Sequence, residues 1–210
     1  MNHAMIDIET LGTAIGSAIV KIGVVSFDER ALLHECEWRI NLQSCVDIGL
    51  TMDPKTIQWW MQRSKEAQED TFTAGEGTDI KQALDGLRSF IYEEMSERVW
   101  SHGATFDIPM LSEAARRAGV EDLLPAYWAA RDTRTLYELA DVNPKEFMGL
   151  GTAHSAIDDA RAQALAVIAS WDKLKKLEMP IVNIRPISDY TVIPSSIKSD
   201  HTMIPSGITK

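Results

Sequence analysis

The feature that most constrains this chain is a short apolar segment with two acids set into it. Residues 3–9 read His-Ala-Met-Ile-Asp-Ile-Glu and run into Thr10-Leu11-Gly12, a turn signal. A run this short, bounded in this way, reads as a buried β-strand. Side chains alternate across a strand, so Asp7 and Glu9 leave one face while Ile6 and Ile8 leave the other. Two neighbouring carboxylates in a low-dielectric setting repel each other and raise a pKa unless a cation sits between them. The same Asp-x-Glu spacing also occurs as an exposed edge pair, so the pattern alone leaves both readings open.

The following segments extend the sheet. Residues 18–27 (AIVKIGVVSF) are rich in β-branched side chains, and residues 32–42 (LLHECEWRINL) alternate, with Asp28-Glu29-Arg30 as a hairpin turn. Helical signals come next. Asp53-Pro54 reads as an N-cap with proline at the first helical position, starting a helix to residue 63 that carries Trp59 and Trp60. Those two are about 100° apart, so at most one can easily be core while the other faces outward. Residues 79–95 place Ile80, Leu84, Leu87 and Ile91 on one face. A strand over 98–102, a helix over 106–118 closed by Gly119, a strand over 127–130 and helices over 133–140 and 155–177 complete the pattern. The order predicts an α/β fold with a mixed sheet: a three-strand antiparallel meander plus crossover strands, flanked by helices. Glu93, Glu94, Glu97 and the SKEAQED stretch are expected to be solvated.

Composition sets the limits. The chain has 210 residues, 45% hydrophobic and 25% charged, enough for one ordinary core, which excludes a disordered chain and a disulfide-held miniprotein. Cys36 and Cys45 fit neither a zinc pair nor a redox Cys-x-x-Cys and read as reduced thiols in or near the core. No signal peptide or membrane span is visible, so the cytoplasm is the expected compartment. Residues 1–178 are expected to form the domain. Residues 179–210 hold Pro180, Pro186, Pro194 and Pro205 without a sustained period and read as an extended tail.

Two further acidic elements matter. Asp107, in SHGATFDIPML, falls where a predicted strand ends and a helix begins, a place that suits a helix N-terminus and equally the assembly of a site. AHSAIDDAR at 153–161 offers His154, Asp158 and Asp159. His154 and Asp159 lie about 140° apart around a helix. The geometry that brings them together keeps Asp159 in the helix and His154 in the turn before it. Asp158 reads as the solvated acid of the pair, although helical geometry does not settle the choice.

DIETLG, GATFD and HSAIDDA, in this order, resemble the three exonuclease motifs of the DEDD superfamily, in its histidine-bearing DEDDh branch with the pattern His-x-Ala-x-x-Asp. Within that branch GLTMDPKTIQWW is similar to the phage exonuclease-A-type and RNase AS-like enzymes, and the resemblance covers about residues 1–175. It implies a ribonuclease-H-like fold. It also implies metal ligands at Asp7, Glu9, Asp107 and Asp159, with His154 as general base. One departure is Ser101-His102-Gly103, where many members carry Gly-His-Asn; it bears on substrate contact near Gly103.

The function so implied is 3′-to-5′ hydrolysis of single-stranded DNA or RNA, with two Mg²⁺ or Mn²⁺ ions at the carboxylates and release of nucleoside 5′-monophosphates. Thr10, Leu11, Gly12, Trp59 and Phe106 are the expected substrate contacts, and Arg116, Arg117, Arg131, Arg134 and Arg161 the cations for its phosphates. A catalytically silent module binding nucleic acid or protein is the alternative, and an endonuclease of the same fold a third. A homodimer is compatible with the sequence. With a net charge of −10, the chain suits a short, end-directed grip on a polyanion rather than a broad basic surface.

Overall fold

β-Branched and apolar residues build three strands in sequence, β1 (Asn2–Thr10), β2 (Ile19–Phe27) and β3 (Leu32–Arg39). The computed structural model describes residues 1–72, 77–147 and 154–177. β1 pairs antiparallel with β2, Asp7 opposite Gly23 and Glu9 opposite Lys21, and β2 pairs antiparallel with β3. The Asp28 carboxylate closes the second hairpin by accepting from the N–H groups of Arg30 at 2.7 Å and Ala31 at 2.9 Å. Two parallel strands follow, β4 (Ser96–Ser101) and β5 (Ala130–Asp132), giving the order β3-β2-β1-β4-β5. This is the expected mixed sheet of an antiparallel meander plus crossover strands, with β1 at its centre.

Seven helices flank the sheet in the described residues: α1 (Leu42–Asp47), α2 (Pro54–Met61), α3 (Lys65–Phe72), α4 (Ile80–Glu93), α5 (Asp107–Ala118), α6 (Thr133–Ala140) and α7 (Ala156–Lys175). Asp53 and Asp79 cap α2 and α4 through their carboxylates, and Gly119 ends α5 in the left-handed region at φ 69°. Even-numbered residues of β1 (Ala4, Ile6, Ile8) pack with Ile22, Val24, Leu84, Leu87, Ile91 and Leu111 into an apolar layer. On the opposite face Met5, Val25, Phe27 and Trp100 meet Ala160, Ala164 and Val167 of α7. The alanines let α7 lie close to the sheet. Gly23 tightens this further, because a Cβ there would come within 2.5 Å of the Ala156 backbone.

Several expectations need correction. The third strand stops at Arg39, because the Asn41 side chain accepts from Gln43 N–H at 3.0 Å and starts α1. The SKEAQED stretch is not simply solvated: it enters α3, buries Ala67, and sends Asp70 to Lys21. Glu94 bonds Ser26 at 3.0 Å and His34 at 2.9 Å. The strand expected at 127–130 forms at 130–132, since β4 offers its ladder only from Val99 opposite Ala130 onward; Tyr127 and Trp128 are exposed before it. Cys45 is buried and Cys36 half-buried, both as free thiols. Among the described residues no helix is long and apolar enough to cross a membrane. The tail expected at 179–210 lies outside the described residues.

Candidate active site

Asp7 and Glu9 stand on the α7 side of the central strand, and α7 brings Asp159 to them. Carboxylate oxygens of the three lie within 4.8 Å of one another. Asp107, the first residue of α5 and only 4% exposed, joins them electrostatically from the end of β4. Three of the four sequence-predicted acids thus share one group, and the fourth, Asp107, acts on Asp7 and Glu9 through its charge. Burial, then the charges of Asp107, Glu9 and Asp159, raise the Asp7 carboxyl well above the usual carboxylate range. Burial foremost, with the Asp159 charge next, pushes Glu9 up to about 8. Asp107 rises to about 7 through burial, opposed by backbone hydrogen bonds and by Arg134. Asp159 rises to about 6 through burial and the neighbouring Asp158.

Within the cluster, Asp7 and Glu9 favour their protonated forms at neutral pH unless positive charge enters. All the cluster's donors are hard oxygens brought together from three elements. The set fits a divalent cation of the Mg²⁺ or Mn²⁺ type.

Two supporting side chains carried no signal in the motif pattern. Gln163 donates from Nε2 to Asp7 Oδ1 at 2.8 Å, while its backbone carbonyl accepts from the Tyr137 hydroxyl at 2.8 Å. It lies four residues after Asp159, hence on the same helical face, which was the one available clue. Lys21, opposite Glu9, is fully buried and ion-paired to Asp70 at 2.6 Å and Glu37 at 3.2 Å. Its charge opposes the rise of the Glu9 pKa.

His154 precedes α7 in the left-handed region at φ 64°, an uncommon conformation for a non-glycine residue. Its ring lies edge-on to Trp59, with centroids 5.0 Å apart, and 6.0 Å from Trp60. Burial and the charge of Arg63 lower its pKa. Trp60 is the core tryptophan, 2% exposed, and its indole N–H donates to the Thr10 carbonyl at 3.0 Å. That bond pins α2 to the end of β1 and leaves Trp59, 38% exposed, toward His154.

Around the cluster, the Thr10 hydroxyl donates to the Gly12 carbonyl at 2.7 Å, Leu11 is buried in the apolar layer, and Phe106 is half-buried beside Asp107. Gly12 is required by Ser17, whose Oγ would stand 2.3 Å from an added Cβ. The expected phosphate cations divide. Arg161 is bound by Glu35 and by Asp158 at 2.5 Å, so Asp158 is an ion-pair partner rather than a merely solvated acid. Glu113 takes Arg116 at 2.8 Å and Arg117 at 2.7 Å, and Arg131 donates to the Trp128 and Ala130 carbonyls. Arg134 packs over Gly103 and lowers the pKa of Asp107.

Residues 2–171 match the profile of a family described as the 3'-5' exoribonuclease Rv2179c-like domain. The exodeoxyribonuclease of Enterobacteria phage T4 is 24% identical over 194 residues, covering 77% of this chain and 85% of the phage protein. The 3'-5' exonuclease DinG of Staphylococcus haemolyticus is 23% identical over 187 residues, covering 84% of this chain; the match spans 19% of DinG's length. Among solved structures, Exonuclease X in complex with 5' overhanging duplex DNA is similar at 19% identity and a TM-score of 0.48, covering 83% of this chain and 93% of that one.

Proposed function

The chain belongs to the Rv2179c-like 3'-5' exoribonuclease domain family and is a 3′-to-5′ exonuclease; from that premise we propose that it trims single-stranded RNA or DNA from the 3′ end by metal-dependent hydrolysis at Asp7, Glu9, Asp107 and Asp159. The observation that carries the reading is the convergence of the grouped carboxylates of Asp7, Glu9 and Asp159, which repel one another without a cation. When bound there, Mg²⁺ or Mn²⁺, two ions per site, supplies Lewis-acid stabilisation of the attacking and leaving oxygens. Water attacks the terminal phosphorus, the P–O3′ bond breaks, and a nucleoside 5′-monophosphate leaves.

The chain's own groups divide the remaining work. Gln163 fixes Asp7 in one rotamer through the 2.8 Å bond to Oδ1. With its pKa lowered by burial and Arg63, the imidazole of His154 is neutral at pH 7 and free to take a proton from the attacking water. Thr10, Leu11, Gly12, Trp59 and Phe106 are the proposed contacts to the terminal nucleotides. The family's description favours RNA, and matched oligomers decide it. The silent-module alternative calls for a lost carboxylate, and all four are present.

The test separates ligands from base. Mn²⁺ binding measured by calorimetry should survive His154→Ala while hydrolysis falls, and Asp159→Ala should lose both. Full hydrolysis by Asp159→Ala contradicts the assignment.

A further inference from the structure

Several of the chain's cations have their charge committed to a carboxylate. Arg161 is held by Glu35 and Asp158, Arg117 by Glu113, and Lys21 by Asp70 and Glu37. Arg63 is different. Its guanidinium lies 4.3 Å from the centroid of the Trp59 ring, and Nε donates to the Trp59 carbonyl at 3.2 Å. Among the described residues its two terminal nitrogens have no hydrogen-bond or ion-pair partner. The same Trp59 ring stands edge-on to His154 at 5.0 Å, so guanidinium and imidazole share one aromatic platform.

The base of this arrangement is fixed. Arg63 N–H donates to the Trp60 carbonyl at 3.0 Å, and the Gln68 side-chain amide donates to the carbonyls of Arg63 at 2.9 Å and Met61 at 3.1 Å. Gln68 belongs to α3, which Asp70 ties to buried Lys21 of the sheet. A half-buried arginine, oriented by stacking, with the outer edge of its fork unclaimed, has the donor geometry that matches a phosphate.

We propose that Arg63 holds a non-bridging oxygen of a substrate phosphodiester on the His154 side of the acidic cluster, with Trp59 as the platform that keeps the guanidinium planar to it. This rests on the exonuclease reading and deepens it: in a chain of net charge −10, affinity for the strand comes from a few placed cations, of which Arg63 is one.

The test measures binding separately from hydrolysis. A 5′-fluorescein single-stranded oligonucleotide is titrated with the full chain in Ca²⁺, read by anisotropy across a salt series, and the same proteins are assayed for hydrolysis in Mn²⁺. Arg63→Gln should bind about ten-fold more weakly, with a log–log salt slope shallower by about 0.7, the contribution of one single-strand phosphate contact. Arg63→Lys should regain the slope but only part of the affinity. Replacing phosphates near the 3′ end one at a time by methylphosphonate should find a linkage that weakens the wild type about ten-fold and leaves Arg63→Gln unaffected. Equal binding and equal slope for Arg63→Gln, or no linkage at which its loss is masked, overturns the proposal whatever the hydrolysis shows. Wild-type binding that depends on Arg63 without any hydrolysis supports the phosphate contact and refutes the exonuclease reading instead.

Discussion

The two faces of β1 obey opposite rules. Ile6 and Ile8 enter an apolar core layer, whereas Asp7 and Glu9, on the same strand, enter one where burial and the charges of neighbouring carboxylates raise their pKa values. Burying an apolar side chain stabilises by about 1.5–3 kcal/mol, while crowding carboxylates in a partly buried site destabilises until a cation enters. The difference teaches that the sheet's stability resides on one face and its chemistry on the other. Strand alternation keeps the two apart within a single segment.

That division can be broken from either side. Asp7→Ala should lower kcat about a thousand-fold, the equivalent of several kcal/mol of transition-state stabilisation, and should leave the melting temperature in chelator unchanged or higher. Ile6→Ala should do the reverse, costing about 3 kcal/mol in denaturant titration while kcat measured well below the melting point stays within about two-fold. Gln163→Leu sits between them: about 10- to 100-fold weaker Mn²⁺ binding or slower hydrolysis with a small change in stability, because Asp7 loses its orienting donor.

The smallest effect sharpens the electrostatic half. Glu9 has a folded pKa of about 8 against an ordinary value of 4.5, so the folded state binds more protons than the unfolded state between those limits. Its contribution to stability is therefore fully present below pH 4.5 and is lost as pH rises through about 8. Asp107 and Asp159 act in the same direction. In chelator the melting temperature should fall from pH 5 to pH 8, and Mg²⁺ or Mn²⁺ should reverse the fall. A flat profile in chelator contradicts it.

The strong local signals were readable before the structure: the acid-bearing strand, the Asp53-Pro54 cap, and the four-and-three spacing of Ile80, Leu84, Leu87 and Ile91. The same holds in part for Trp59 and Trp60, whose 100° offset leaves room for at most one in the core; the bond from Trp60 to the Thr10 carbonyl decides which. What escaped depends on partners distant in sequence. α3 is polar along its length and earns its place through Asp70 meeting a lysine 49 residues away. Lys21 looks like an exposed strand residue until Glu37 and Asp70 close over it. Likewise, Arg63 shows no motif at all, because its significance lies in the ring it covers and the absence of an acid beside it among the described residues.

One measurement bears most directly on the division between the faces of β1. Matched 5′-labelled RNA and DNA oligomers, each with a free or a blocked 3′ end, are incubated in Mn²⁺ with the wild-type chain and with Asp7→Asn. The predicted result is a ladder shortening one nucleotide at a time from free 3′ ends, with nucleoside 5′-monophosphate as product, no cutting of blocked ends, and no activity in Asp7→Asn. Internal cutting of a blocked strand, or an undiminished ladder from Asp7→Asn, contradicts the account.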